Sequence, residues 1–229
     1  MTAPRILLVN GNSRKDLTAR MVALAEAQLG DMAVIEPMTI HAAPAFVSNR
    51  AEATAAAPEI LHAVRARIED LDEPRPDAVM LACFGEPGLW ALRDCILVPV
   101  TGMAEASAAA AVQLGRRFSI LVSGRAWPDQ IADLMALYGL DRRCVRVTAV
   151  PDDALSDDTA IWQPVLAEAL AREAALGGAD VVILGGGLLS GRARDLTPPE
   201  GLRLLDAFDT TLMQTLALAL ATRAPKQGA

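Results

Sequence analysis

The chain has 229 residues, of which 52% are hydrophobic and 3% aromatic, and a formal net charge of −7. That length carries one large domain or two small ones around a sizeable core. The acidic balance, without any Lys/Arg block, excludes a phosphate-backbone binder, so no nucleic-acid partner is expected. No apolar run reaches the length of a membrane span, and no membrane partner is expected. Three cysteines, at positions 83, 95 and 144, fit neither a disulfide framework nor a CxxC metal pair. The two histidines, His41 and His62, read as surface or packing residues and are too few for a His-rich centre, so no metal is expected. Met1 to Arg5 runs straight into an apolar segment and leaves no room for a signal peptide, which makes a reducing cytoplasm the expected compartment.

Arg5 to Val9 is a continuous apolar run, the pattern of a strand buried on both faces. A turn, Asn10 to Ser13, follows, with Ser13 the expected helix N-cap and Asp16 its capping-box partner. A helix is predicted from about Leu17 to Leu29, ended by Gly30, and a short strand over Met32 to Ile35. Pro44 to Ala57 reads as a long loop over the sheet edge, of the kind that forms lids or binding loops. Pro58 to Leu71 is predicted helical and Ala78 to Ala82 a strand. Cys83 ends that strand, and the Gly/Pro turn after it leads into a helix, Leu89 to Asp94. A strand over Ile96 to Val100 and an alanine-rich helix from Met103 to Leu114 complete this stretch. A thiol at the carboxyl end of a buried strand sits where open α/β sheets bind ligands. A helix N-terminus nearby favours thiolate over thiol.

The pattern then starts again. Phe118 to Val122 echoes Arg5 to Val9, and Ser123-Gly124-Arg125 stands where Asn10-Gly11-Asn12 stood. A helix is expected from Trp127 to Tyr138, a strand over Cys144 to Val150, and a long helix from Ala160 to Leu176. Asp180 to Leu184 (DVVIL) echoes Asp77 to Leu81 (DAVML), and the tail, Leu202 to Ala221, reads as helical. The fold class is therefore α/β: two pseudo-symmetric doubly wound halves, each with a mainly parallel sheet and the active site in the cleft between them. The halves are expected at 1–97 plus 209–229 and at 98–208. Setting Asp77 on Asp180 sets Cys83 on Gly186. One strand end carries a thiol; the other carries the bare backbone of Gly185, Gly186 and Gly187, whose amides can face an anion.

These motifs carry a resemblance. Asn10-x-Asn12-Ser13, Ala82-Cys83-Phe84-Gly85-Glu86-Pro87-Gly88, Val98-Pro-Val-x-Gly-Met-Ala-Glu-Ala-Ser107, Leu114-Gly-Arg-Arg-Phe-Ser119 and Asp206 together resemble the aspartate/glutamate/hydantoin racemase superfamily, most of all its hydantoin racemases. The resemblance covers nearly the whole chain. It implies a cofactor-independent enzyme in which two cysteines face opposite sides of an acidic C–H, one taking the proton and the other returning it. The second-half motif of that group is usually L-G-C-A-G; here it is Leu184-Gly185-Gly186-Gly187-Leu188, so Gly186 takes the second cysteine's place. Cys95, at a helix end, and Cys144, at the start of a strand, are poorly placed to substitute for it.

The expected function is that of a racemase/isomerase-family enzyme acting on a hydantoin-like or amino-acid-derived carbon acid, with Cys83 as acid/base. Asn10, Ser13, Phe84, Gly85, Ser123, Gly185, Gly186 and Gly187 are the expected substrate-binding residues. A second-face acid could come from Asp195, Glu200 or a water. The alternatives are a one-cysteine decarboxylase or lyase, an isomerase or hydrolase with Cys83 as nucleophile, and a ligand-binding homologue without catalysis. Glu86 either tunes the cysteine or caps a helix. Glu105 reads as structural. Arg125 and Trp127 fall near the cleft, and Gly191 to Arg194 is either an anion-binding loop or a solvated one. The partner is a small molecule, and a homo-oligomer is expected.

Overall fold

The computed structural model describes residues 3–222; Met1, Thr2 and the last seven positions of the 209–229 segment lie outside the described residues. Eight strands form two parallel four-stranded sheets. The first contains β1 (Arg5–Asn10), β2 (Val34–Thr39), β3 (Ala78–Leu81) and β4 (Val100–Gly102), in the order β2-β1-β3-β4. The second contains β5 (Phe118–Ser123), β6 (Cys144–Val150), β7 (Val181–Gly185) and β8 (Arg203–Asp206), in the order β6-β5-β7-β8. The two orders are the same, and the registers match: Val9 lies beside Leu81 in one sheet and Val122 beside Gly185 in the other. The central strands β1, β3, β5 and β7 are apolar runs because helices cover both their faces.

Seven helices supply that cover: α1 (Lys15–Leu29), α2 (Arg50–Glu69), α3 (Leu89–Cys95), α4 (Met103–Leu114), α5 (Trp127–Leu137), α6 (Thr159–Leu176) and α7 (Ala207–Thr222). One core is shared by both halves. It takes Ile6, Leu8 and Met80 from the first sheet, Ile120 and Ile183 from the second, and Phe208 and Leu212 from α7. Ala104, Ala108 and Ala111 of α4 are fully buried in it, and their small side chains let α4 lie close to its neighbours. A second core lies under α2 and α3, around Ile60, Val64 and Leu92, and a third under α6, around Trp162, Leu166 and Leu170.

Four expectations are corrected. The loop expected over Pro44–Ala57 ends at Asn49, whose side chain accepts the Glu52 N–H at 3.0 Å and starts α2 eight residues before Pro58. The strand expected over Ile96–Val100 lies instead at Val100–Gly102 and pairs with β3, so the first sheet continues past residue 97. The tail expected to be wholly helical opens with β8, which pairs with β7; Asp206 then accepts the N–H groups of Phe208 and Asp209 and begins α7. Ser13 does not cap α1: the helix begins at Lys15 without a side-chain cap, and Asn12 accepts the Arg14 N–H instead. Among the described residues no helix is long and apolar enough to cross a membrane.

Candidate active site

The carboxyl ends of the four central strands meet at one cavity of about 220 Å³ between the halves. Cys83, two residues past β3, forms part of its wall and is 9% exposed. It leans over the end of β1, where a Cβ on Gly11 would lie 3.0 Å from the Cys83 Cβ and 3.4 Å from its Sγ. In the second half the arrangement is reversed. Ser123, the last residue of β5, leans over the end of β7, where a Cβ on Gly186 would lie 3.0 Å from the Ser123 Oγ. Gly186 has φ +120°, a conformation that L side chains rarely adopt. Asn12, Leu17 and Met21 come from the β1–α1 segment, Phe46 to Ser48 from the loop before α2, and Trp127 and Leu155 from the second half.

Aromatic rings lock the halves together across this cavity. The Phe84 ring lies against Gly185, and the Trp127 ring lies against Gly85; a Cβ at either glycine would collide with the ring facing it. The loop after β7 is anchored on both sides. Arg20 of α1 donates to the Ser190 carbonyl at 3.1 Å, and Asp206 accepts the Gly191 N–H at 2.8 Å.

Electrostatically the wall is close to neutral. Among the described residues that line it there is no Asp, Glu, Lys, Arg or His, and Cys83 is the one titratable side chain. Burial is the main cause that raises the Cys83 thiol to about 12, and the Glu86 charge adds to it; the Gly85 and Glu86 N–H groups pull the other way. The sequence-based expectation of a thiolate favoured by a nearby helix is therefore corrected, because desolvation outweighs the local dipoles. At neutral pH Cys83 holds its proton.

The expected site residues are distributed unevenly. Cys83, Phe84, Ser123, Gly185, Gly186 and Gly187 line the cavity. Asn10 does not; it is buried, and its Nδ2 donates to Asn12 Oδ1, the Arg14 carbonyl and Thr18 Oγ1, each at 3.0 Å. It holds the turn that presents Asn12. Ser13 is also off the wall, and its N–H donates to the Pro44 carbonyl, tying that turn to the loop before α2. Gly85 lies beneath Trp127. Arg125, Asp195 and Glu200 do not line the cavity. In the Gly191–Arg194 loop, Arg192 is buried over the Trp162 ring and donates to the Ala154 and Ser156 carbonyls, while Arg194 pairs with Asp209. That loop braces the second half. Sequence reasoning missed Asn12, Phe46 and Leu155 as wall residues. Asn12 was within reach, since it belongs to the Asn10-x-Asn12 motif; Leu155 sits on a single 3-10 turn with no periodic signal.

A family model described as Asp/Glu/Hydantoin racemase matches residues 6–215. The chain belongs to this family. The hydantoin racemase of Rhizobium meliloti is 27% identical over 215 residues, covering 93% of this chain and 88% of that protein. Allantoin racemase from Klebsiella pneumoniae superposes with a TM-score of 0.86 at 27% identity, covering 99% of this chain and 92% of that one. Arylmalonate decarboxylase shares the fold, with a TM-score of 0.62 at 18% identity over 98% of this chain and 96% of that one. In this racemase-family member the cavity lies between two repeated halves, with a thiol on the first-half side.

Proposed function

We propose that this protein is a cofactor-independent racemase-family enzyme that moves a proton at an acidic C–H of an uncharged, hydantoin-like ring, with Cys83 as the acid/base. The observation that carries this reading is the cavity wall, which holds one titratable side chain, Cys83, and no charged one. A free amino acid or a dicarboxylate would bury its charges there without an oppositely charged side chain, at a cost of several kcal/mol per ion (order of magnitude). A neutral ring whose C–H is activated by the adjacent ring carbonyl carries no such cost.

Cys83 meets the substrate as a neutral thiol and so offers an acid. It acts as a base once its proton has passed to solvent water, and the Gly85 and Glu86 N–H groups favour the resulting thiolate. The second-half part of the wall contributes Gly186, without a side chain, and the Ser123 hydroxyl. A serine hydroxyl donates a hydrogen bond but is too weak an acid to replace a second thiol near neutral pH. Proton exchange on the Cys83 face is therefore expected to outrun inversion.

The test uses one enantiomer of a 5-substituted hydantoin in deuterated water, reading deuterium at the ring C–H and optical rotation together. The expected result is deuterium incorporation faster than loss of rotation, with Cys83→Ser slowing incorporation roughly 10²–10⁴-fold. Exchange undiminished in Cys83→Ser would overturn the role of the thiol.

A further inference from the structure

Glu86 is the one described non-glycine residue with positive φ, +52°, and it is 6% exposed. A buried carboxylate on a left-handed backbone needs partners strong enough to hold both features. Three elements provide them. The Glu105 N–H, in the first turn of α4, donates to Glu86 Oε1 at 2.9 Å. The Tyr138 hydroxyl, just past α5, donates to Oε2. Gly102, the residue before α4, leaves the space that Oε1 occupies, since a Cβ there would collide with it. The carboxylate thus ties the turn after Cys83 to α4 and to the second half at once.

That turn carries the N–H groups that face the sulfur. Gly85 and Glu86 both present their N–H groups to Cys83, and the Glu86 N–H also donates to the Cys83 carbonyl at 3.0 Å. The Glu86 side chain fixes the backbone from which those donors project. We propose that Glu86 is a positioning residue for Cys83: its carboxylate, clamped by α4 and Tyr138, fixes the turn whose N–H groups project toward the thiol. The proposal rests on the reading of Cys83 as the acid/base, but it concerns the thiol itself and can be measured without substrate.

The charged and titratable groups around Glu86 are few. Arg93 from α3 forms a two-pronged pair with Glu105 and also feels the Glu86 charge; Glu105 from α4 repels it; Tyr138 donates to it; Cys83 is the group it acts on. The carboxylate is itself raised to about 7, with burial the main cause. Near neutral pH, then, the charge facing the thiol is neither fully present nor fully absent.

The direction of each effect follows. A charged Glu86 opposes the thiolate. Glu86→Gln removes that charge while keeping an oxygen for the Glu105 N–H, and its NH2 can donate to the Tyr138 hydroxyl oxygen in place of the bond that the hydroxyl donates. Tyr138→Phe takes one donor from the carboxylate, so Glu86 keeps its proton to a higher pH and opposes the thiolate less.

The experiment follows alkylation of Cys83 by iodoacetamide from pH 7 to 11, in full-length protein carrying Cys95→Ser and Cys144→Ser. Glu86→Gln is expected to alkylate roughly tenfold faster at pH 8, the consequence of a thiol ionising about one unit lower. Tyr138→Phe is expected to shift the same way by less, and it stands as the readout if Glu86→Gln does not fold. Glu86→Ala, which releases the turn as well as the charge, is expected to lose hydrogen-exchange activity that Glu86→Gln retains, with its pH profile moved to lower pH. An alkylation profile unchanged in both Glu86→Gln and Tyr138→Phe overturns the proposal even if Cys83 proves essential. Exchange undiminished in Cys83→Ser overturns the role of the thiol and leaves the alkylation result to stand on its own.

Discussion

The Ser123 hydroxyl occupies the space into which a side chain at position 186 would project: a Cβ built on Gly186 lies 3.0 Å from Ser123 Oγ. Glycine and serine at these strand ends therefore form a matched pair. Placing a thiol at the second strand end meets two obstacles, the serine oxygen and the φ of +120° at Gly186. Gly186→Cys alone is expected to cost ~1–3 kcal/mol of stability through backbone strain, and to gain little inversion. Combined with Ser123→Gly, which clears the oxygen, it is expected to invert a hydantoin faster than either single variant. Thermal melting and polarimetry on the three proteins check this. Inversion by Gly186→Cys alone that equals the double variant would show that Ser123 is no obstacle.

Much of this arrangement was legible from residue order. The runs at Arg5–Val9, Ala78–Leu81, Phe118–Val122 and Val181–Leu184 read as buried strands because each is apolar on both faces, and their repetition aligned Cys83 with Gly186. Short or composite signals were harder. β8 is four residues long and runs directly into α7, so its two leucines merged with a helical pattern. The start of α2 was hidden because Pro58 normally marks a helix beginning, and here Asn49 caps the helix earlier. The state of the thiol was not legible either. Proximity to a helix can be read from order along the chain, whereas desolvation depends on what the other half stacks over Cys83. For the same reason Leu17 and Met21 read as core positions of α1, and only the packing turns them toward the cavity.

The uncharged wall makes Asn12 a sensitive position. Its Oδ1 accepts two hydrogen bonds, from Asn10 Nδ2 and from the Arg14 N–H, both at 3.0 Å. Asn12→Asp keeps both acceptor contacts and adds a negative charge to a cavity in which, in the reaction we propose, the ring becomes anionic. The variant is expected to fold as the wild type does and to lose roughly ten- to hundredfold in kcat/KM for a neutral hydantoin, since charge developing in a desolvated site is strongly sensitive to its neighbours. Steady-state kinetics beside a melting curve tests this, and an unchanged kcat/KM would mean that Asn12 does not face the reacting ring.

Phe84 and Gly185 meet across the two halves with no space for a methyl group between them. Gly185→Ala is expected to destabilise the protein by ~1–3 kcal/mol, the usual cost of overpacking a closed interior. Trimming the ring relieves the collision, so Phe84→Leu in the Gly185→Ala background is expected to recover part of the loss, although Phe84→Leu alone destabilises. This is a coupling between contacting residues and is measured by a double-mutant cycle on chemical denaturation. Additive effects would place the strain elsewhere than in the ring contact.

Two buried carboxylates give stability an unusual dependence on pH. Burial is the main cause that raises Glu86 to about 7 and Asp206 to about 6, against ordinary values of 4.5 and 3.8. A group whose folded value is raised contributes stability at low pH and loses it as the pH climbs through the folded value. Stability is therefore expected to rise as the pH falls from 8 toward 5, first through Glu86 and then through Asp206. Asp16, Glu52 and Asp180 act in the opposite sense, because hydrogen bonds hold them below the ordinary carboxylate range. Their contribution disappears only as the pH drops through those lowered values, so the curve turns down below about pH 4. The expected maximum between pH 4 and 5 can be read from Tm at constant ionic strength, where ~2–4 °C corresponds to 1 kcal/mol for a chain of this size. Glu86→Gln removes the earlier titration and is expected to flatten the curve between pH 8 and 6.5, while leaving the Asp206 rise between pH 6.5 and 5. A Tm that falls steadily from pH 8 to pH 5 in the wild type would mean that neither carboxylate pays its desolvation cost in the charged form.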